Sequence, residues 1–273
     1  MVPSGNVPLG LIAIFIVLLG LVFGSFLNVC ISRLPKHESV VRPRSRCPQC
    51  GAAIRASDNI PLLSWAVLRG RCRSCRKPIA WRYPAVEVGL AALFLLAYLR
   101  FGLTLSGVGI MLLSFLLLGL AAMDAETMRL PDAFTFPGIV LGIVFAGLLP
   151  APALADHLAH AGLAALGALV GALIILTIRW IYYVWRGVEG MGIGDAKLLA
   201  LIAAWLGPAL TLVTLFMGAL SASVVGLLWI ALTRRKQSPM TARIPFGSFL
   251  CGAALYAIYQ GQANVGWYLQ FFR

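Results

Sequence analysis

Charged residues are scarce in this chain. They make up only 11% of its 273 residues, nine of them are acidic, and there are just three histidines. A soluble globular domain carries roughly a quarter of its residues as Asp, Glu, Lys and Arg, so this composition excludes an ordinary soluble protein. Hydrophobic residues reach 60%, and apolar runs of about 20 residues, the length that crosses a bilayer, recur along most of the chain. We therefore expect an integral protein of the lipid bilayer.

The apolar runs predict an all-α polytopic membrane protein with about eight transmembrane helices. Two of the runs are weak. The run at 195–207 is short for a full crossing, and the run at 134–149 is interrupted by Pro137 and several glycines. The eight predicted spans cover residues 9–30, 85–100, 105–123, 134–149, 159–184, 195–207, 209–232 and 245–261.

The distribution of basic residues predicts the orientation. They follow the first apolar run instead of preceding it, which is the reverse of a secretory signal peptide, so the first helix is expected to remain with its N-terminus outside. Almost all Lys and Arg residues then fall in cytoplasmic loops, as the positive-inside rule requires. Orientation and attraction to anionic lipid explain the net charge of +13, and nucleic acid is not expected as a partner. The loops predicted to be cytoplasmic are 31–84, 124–133, 185–194 and 233–244.

Four of the six cysteines lie in the longest polar segment, residues 31–84. They form two C-x2-C pairs separated by 21 residues, which is the ligand pattern of a tetrahedral zinc site. Disulfides and redox use are the alternatives, but a cytoplasmic loop is reducing and suits them less well. We expect one structural zinc ion per chain. Its ligands would be Cys47, Cys50, Cys72 and Cys75.

The chain is accordingly predicted to have three parts. Residues 1–30 hold the first transmembrane helix, and residues 31–84 form a small cytoplasmic zinc module between the first and second helices. Residues 85–273 form a multi-helix membrane domain. The three histidines lie away from both cysteine pairs and receive no metal role.

Five of the nine acids are predicted to lie at the cytoplasmic membrane face. Asp124, Glu126 and Asp132 cluster after the third predicted span, and Glu189 and Asp195 lie in another cytoplasmic loop. Two carboxylates brought close together do not both ionise readily and share a proton, as in the aspartic-protease dyad. In such a dyad the ionised partner takes a proton from water while the protonated partner hydrogen-bonds the scissile carbonyl.

Three glycines alternate before one of these acids, because Gly190, Gly192 and Gly194 precede Asp195 in "EGMGIGDAK". An extended conformation would bare one side of the backbone and let a substrate strand approach closely. The alternative is a flexible turn in which Asp195 is the N-cap of a helix starting at Ala196. The residues alone leave both interpretations open.

A series of motifs, taken in order, resembles the type IV prepilin leader peptidases, which are bifunctional peptidases and N-methyltransferases of pilus assembly and type II secretion. The resemblance runs from Gly24 to Leu250. The motifs are "GSFLNVCISRLP" (24–35), "DNIPLLSWAVLRGRC" (58–72) between the cysteine pairs, "WRYPAVE" (81–87), "MDAETMRLPDAFTFP" (123–137), "EGMGIGDAKLLALIAAWLG" (189–207) and "IPFGSFL" (244–250).

The resemblance implies a membrane aspartic protease of the bacterial inner membrane, with its active site facing the cytoplasm. Asp195 of the G-x-G-D motif and Asp124 would form the catalytic dyad, and Gly190, Gly192 and Gly194 would bind substrate. The substrates would be prepilins and pseudopilins, cleaved after a glycine that ends a short basic leader. Ser248 stands where the family commonly has proline in "FGPFL", a difference expected to affect that helix start and leave the dyad intact.

The resemblance also implies a second activity, in which the new N-terminal residue is methylated from S-adenosylmethionine. The cysteine segment is linked to this step, and Gly70 in "RGRC" matches a glycine implicated in it, so we assign Gly70 to cofactor binding. The chain has no G-x-G-x-x-G in a strand-to-helix setting. The S-adenosylmethionine site therefore rests on the resemblance.

Three alternatives remain: a peptidase without methyltransferase activity, a zinc-bearing assembly scaffold without enzymatic activity, and a transporter. A transporter needs intramembrane charges along a pathway, whereas the acids here gather at one face. A scaffold would tolerate the loss of both aspartates. The oligomeric state and the particular prepilins served are not predicted.

Overall fold

Helices dominate the part of the chain that the computed structural model describes, residues 9–188, 190–233 and 244–270. Helix accounts for 77% of the chain and no strand occurs in this part, so the predicted all-α class is confirmed. We number the helices in chain order as α1 Leu9–Arg33, α2 Leu63–Val67, α3 Arg82–Phe101, α4 Leu105–Thr127, α5 Asp132–Leu148, α6 Leu154–Arg186, α7 Ile193–Thr233 and α8 Phe246–Gln270.

Five helices of the described part are long and apolar enough to cross a membrane. All eight predicted spans fall on helices, but α5 has only 17 residues and lies below the usual spanning length. The chain is therefore a multi-pass helical membrane protein by the length and composition of these elements. The five candidate spans are Leu9–Lys36, Arg82–Phe101, Leu105–Thr127, Leu154–Arg186 and Ile193–Leu232.

The predicted runs 195–207 and 209–232 lie in one kinked helix, α7. Gly207 has φ 73° and ψ 175°, a conformation that glycine adopts without strain, and the following Pro208 has no N–H to donate. The break predicted between the two runs is thus present as a kink within α7.

The first half of α7 is the buried centre of its part of the chain. Leu198, Leu199, Leu201 and Ile202 are fully buried, as expected for a helix that is apolar on all sides and packed by other helices. α7 packs against α5, α6 and α8. The short run that looked weak as a membrane span is therefore buried among other helices, and Asp195 lies in its first turn.

The chain forms two compact units, Met1–Gly119 and Leu120–Arg273. In the first unit, α1 packs against α3 at two glycines spaced four residues apart. A Cβ on Gly20 would lie 2.5 Å from the Cα atom of Ala91, and one on Gly24 would lie 2.6 Å from the Cα atom of Glu87. This G-x3-G contact lets the two backbones approach closely, as in membrane helix pairs.

Candidate active site and metal centre

The four cysteines predicted to bind zinc come together in the first unit. Their sulfur atoms all lie within 4.8 Å of one another, and the Sγ atoms of Cys47 and Cys75 are 3.9 Å apart. Zinc–sulfur bonds of about 2.3 Å in a tetrahedral site separate the sulfurs by roughly 3.8 Å. The geometry of the donor set therefore fits a single tetrahedral metal ion.

The two cysteine pairs are built on the same backbone turn. The N–H of Gly51 donates to the carbonyl of Cys47 at 2.9 Å, and the N–H of Arg76 donates to the carbonyl of Cys72 at 3.0 Å. The residue after the second cysteine of each pair adopts positive φ, +70° at Gly51 and +58° at Arg76. Glycine adopts this conformation without strain, whereas arginine does so at an energetic cost.

The second turn also favours the metal-binding form of its first cysteine. Backbone N–H groups of Cys75 and Ser74 lower the pKa of the Cys72 thiol to about 7. The thiolate is the form that binds metal, so this thiol is prepared for coordination at neutral pH. Between the two cysteines of the second pair, Arg73 donates two hydrogen bonds to Asp58, at 2.8 Å and 2.6 Å, and its guanidinium lowers the pKa of that carboxyl.

Gly70, assigned to the cofactor, supports an aromatic side chain. It has a φ of +65°, and a Cβ placed on it would lie 3.1 Å from the ring of Trp65. Its N–H donates to the Trp65 carbonyl at 2.8 Å. Any larger residue at position 70 would strain the backbone and push the indole away.

Asp124 lies in the last turn of α4 and is buried. Its Oδ2 atom accepts a hydrogen bond from the backbone N–H of Ser248 at 2.7 Å. The Ser248 hydroxyl lies 3.1 Å from the same oxygen and shares its single proton between that oxygen and the carbonyl of Ala121 at 2.9 Å. The preceding Gly247 passes close to the carboxylate, since a Cβ there would lie 3.0 Å from the same oxygen. Ser248 therefore contacts one of the two predicted dyad residues directly, and the expectation that this position leaves the dyad untouched was incomplete.

Asp195 lies in the first turn of α7, which begins at Ile193 and not at Ala196. It is therefore not the N-cap residue. Its Oδ2 atom instead accepts a hydrogen bond from the N–H of Gly192 at 3.1 Å, the backward contact that the third residue of a capping box makes. Unlike Asp124, Asp195 is only half-buried.

The structure brings the two predicted catalytic acids together within the second unit. Asp124 and Asp195 lie within electrostatic range of each other, and both lie within electrostatic range of the buried thiol of Cys251 in α8. Leu130, six residues after Asp124, packs between the start of α7 and the start of α8. It lies 3.2 Å from the position that a Cβ on Gly194 would occupy, and equally near the corresponding position on Gly247.

The three alternating glycines have different surroundings. A Cβ on Gly190 would lie 2.6 Å from the ring of Tyr182, and one on Gly194 would meet Leu130. At Gly192 the nearest atom is Oδ2 of Asp195, at 3.4 Å. Space for a Cβ is therefore lacking at Gly190 and tight at Gly194, whereas a Cβ on Gly192 would make only an ordinary van der Waals contact.

Asp132, another acid of the cluster, pairs with a basic residue. Asp132 begins α5, and its Oδ1 atom accepts from Lys197 Nζ at 2.5 Å, while the same ammonium lies 5.1 Å from the ring centre of Phe136. Glu189 lies outside the described residues. Ser248 was the residue that sequence reasoning undervalued, and the signal for it was its difference from the usual proline, which has no N–H to donate.

Comparison with known proteins identifies the class. Residues 18–101 match the Bacterial Peptidase A24 N-terminal domain, and residues 110–229 match the Type IV leader peptidase family. A curated protein from Pseudomonas putida is 37% identical over 268 residues, covering 89% of this chain and 88% of the relative. One from Aeromonas hydrophila is 36% identical over 276 residues, covering 92% of each. No solved structure matches the chain.

The matched domains define a membrane-embedded peptidase. The chain belongs to the type IV leader peptidase family. The curated relatives from Pseudomonas putida and Aeromonas hydrophila are each named prepilin leader peptidase/N-methyltransferase, as is one from Myxococcus xanthus that is 42% identical over 228 residues, covering 82% of this chain and 65% of the relative.

Proposed function

We propose that this protein removes the leader peptide of type IV prepilins and pseudopilins after a glycine and then methylates the new N-terminal residue. Family membership and the names of the relatives support both activities. The observation that carries the first is the approach of Asp124 and Asp195, 71 positions apart in the chain, to within electrostatic range of each other.

In this proposal the two carboxylates act as a unit that shares one proton. The ionised member takes a proton from a water molecule, and that water attacks the scissile carbonyl. The protonated member donates a hydrogen bond to the carbonyl oxygen and stabilises the charge that develops there. The backbone N–H of Ser248 holds Asp124 from one side, and the N–H of Gly192 holds Asp195.

We assign substrate binding to Gly190, Gly192 and Gly194. The leader would run beside this backbone as an extended strand, and the missing Cβ at Gly192 keeps the path to the Asp195 carboxylate narrow but open. Gly190 and Gly194 serve this arrangement indirectly, because they let the segment lie against Tyr182 and Leu130.

The four-cysteine cluster is proposed to bind one structural zinc ion. Support comes from the donor set, from the sulfur spacing, and from the lowered pKa of Cys72. The ion would fix the two turns of the module at residues 31–84 and, through them, the position of Gly70, two residues before Cys72. S-adenosylmethionine, when bound, would supply the methyl group.

We further propose the eight-span arrangement with the N-terminus outside, and the division into parts 1–30, 31–84 and 85–273. The kink at Gly207 divides α7 into two segments, which would bring the number of crossing helices to eight together with α5 and α8. The predicted cytoplasmic loop 233–244 falls almost entirely on residues outside the described part.

The direct test is to incubate the purified protein with a full-length prepilin, with and without S-adenosylmethionine, and to read intact masses. We expect the prepilin to lose its leader under both conditions, and to gain one methyl group only when the methyl donor is present. Cleavage without any methylation would mean that the protein is a peptidase without methyltransferase activity. Absence of cleavage by zinc-loaded protein would contradict the proposed function.

A further inference from the structure

The first unit contains a cavity of about 620 Å³ that the peptidase chemistry does not use. It is lined by the end of α1, the cysteine segment and the start of α3. Its volume lies within the range of roughly 300–1,000 Å³ that is typical of small-molecule and cofactor sites. The cavity is therefore large enough for a nucleoside-sized ligand.

Asn28 lines this cavity and carries a hydrogen-bond acceptor without a partner among the described residues. The side chain is only 3% exposed, and its Oδ1 atom has no partner among the described residues. Its Nδ2 atom donates to the carbonyl oxygens of Gly24 at 3.3 Å and Tyr83 at 3.0 Å. The amide is not flipped, because the opposite orientation would set Oδ1 against two carbonyl oxygens. A buried acceptor of this kind normally has a partner, and a bound donor would supply it.

A buried carboxylate lies in the same wall. Glu87 of α3 is 8% exposed, and its Oε2 atom accepts from the N–H of Leu62 at 2.8 Å. The close approach of α1 to α3 at Gly24 brings Glu87 and Asn28 to the same cavity. Together they form a strongly accepting region, which suits a ligand that carries hydroxyl and amino donors or a positive charge.

The cavity is also lined by hydrogen-bond donors and by an aromatic ring. Arg44 and Arg46 line the cavity and offer donors for a ligand carboxylate. The indole of Trp65 lines it as well, is 37% exposed, and packs on Gly70, which leaves a ring available for stacking with a nucleobase. Acceptors, an arginine pair and an aromatic ring in one cavity match the amino, hydroxyl, carboxylate and adenine groups of S-adenosylmethionine.

We propose that this cavity is the S-adenosylmethionine site, with Asn28 and Glu87 as hydrogen-bond acceptors and Trp65 as the stacking platform. Gly70 is then a positioning residue, since it acts by holding Trp65 in the wall and is not itself among the lining residues. This inference rests on the proposed methyltransferase function and adds the location of its methyl donor, which no sequence motif indicates.

The test measures binding of S-adenosylmethionine to the purified, zinc-loaded full-length protein by calorimetry. Trp65→Ala and Asn28→Ala should each weaken binding roughly tenfold or more. Ser114→Ala is the matched control, because Ser114 is also a buried polar residue of this unit whose hydroxyl lacks a partner within the described chain, but it does not line the cavity. Its affinity should equal that of the unmodified protein.

A second measurement does not depend on any variant folding. Ultraviolet crosslinking of radiolabelled S-adenosylmethionine to the unmodified protein should label a peptide within residues 25–87. A label confined to residues 120–273, or unchanged affinity in zinc-loaded Trp65→Ala protein, would overturn the site while leaving the methyltransferase function standing. A protein that binds no S-adenosylmethionine at all would overturn both.

Discussion

Ser248 donates a hydrogen bond from its backbone N–H to one oxygen of Asp124 at 2.7 Å, and its hydroxyl lies 3.1 Å from the same oxygen. The same hydroxyl lies 2.9 Å from the carbonyl oxygen of Ala121, one turn earlier in α4. Position 248 therefore fixes both the rotamer of the carboxylate and the start of α8 beside it. Proline, the residue that resembling sequences commonly carry here, would provide neither donor.

Two substitutions at position 248 separate these contributions. Ser248→Ala keeps the N–H, whereas Ser248→Pro removes both donors. Because the resembling peptidases commonly carry proline here, both variants should lower the rate of leader cleavage only a few-fold, with Ser248→Pro the slower of the two. The rates are measured on a prepilin at saturating substrate, with zinc content as the folding control. Equal rates for the two variants would mean that the backbone bond does not support Asp124.

Substitutions at equivalent positions of the two cysteine turns should change the stability of the module in opposite directions. A Cβ on Gly51 would meet nothing within 4 Å, so Gly51→Ala adds only backbone strain and should destabilise the module by about 1 kcal/mol. Arg76→Gly relieves the same strain and should make the module at least as stable as before, although the freer unfolded chain offsets part of the gain. The measurement is the rate of zinc release to a chelator. Faster release from Arg76→Gly than from Gly51→Ala would contradict the equivalence of the two turns.

The four-cysteine cluster should bind zinc in a fixed ratio to the protein. Elemental analysis of purified protein should give about one zinc per chain, and Cys47→Ser or Cys72→Ser should lose the ion and destabilise the segment around it. Cys30→Ala is the control, because Cys30 is buried in α1 and lies outside the cluster. Full zinc retention by a Cys47/Cys72 double variant would rule out the four-thiolate site.

The predicted orientation is tested by labelling single cysteines in a cysteine-depleted background with a membrane-impermeant reagent. A cysteine at position 153, in the segment between α5 and α6, should react in intact cells, and one at position 40, after α1, should react only after the membrane is opened. The reverse pattern would contradict an outside N-terminus.

Much of the fold follows from the sequence because hydrophobic runs and cysteine spacing are local signals. The eight apolar runs all lie on helices, and the four cysteines converge as their spacing indicates. Apart from the pairing of Asp124 with Asp195, which the family resemblance implied, contacts that join distant segments were not predicted. The bond from Ser248 to Asp124 spans 124 positions, and the acceptor region of Asn28 and Glu87 depends on how closely α1 meets α3. The G-x3-G pattern at Gly20 and Gly24 is visible in the sequence, but the sequence does not indicate which helix it contacts.

The kink in α7 illustrates the same limit. A glycine followed by proline indicates a break, and the break is present at Gly207. Whether the preceding run contacts lipid or other helices depends on its neighbours, and α7 packs against α5, α6 and α8. Composition alone could not distinguish burial by lipid from burial by protein.

The most direct test of the central claim is the rate of prepilin cleavage by Asp124→Asn and Asp195→Asn, each compared with Asp132→Asn. An amide neither takes a proton from water nor shares a proton within a carboxylate pair, so each dyad variant should lose cleavage while retaining expression and zinc. Asp132 pairs with Lys197 at an exposed position, where an ion pair contributes little, so Asp132→Asn should still cleave. Cleavage near the unmodified rate by either Asp124→Asn or Asp195→Asn would contradict the account.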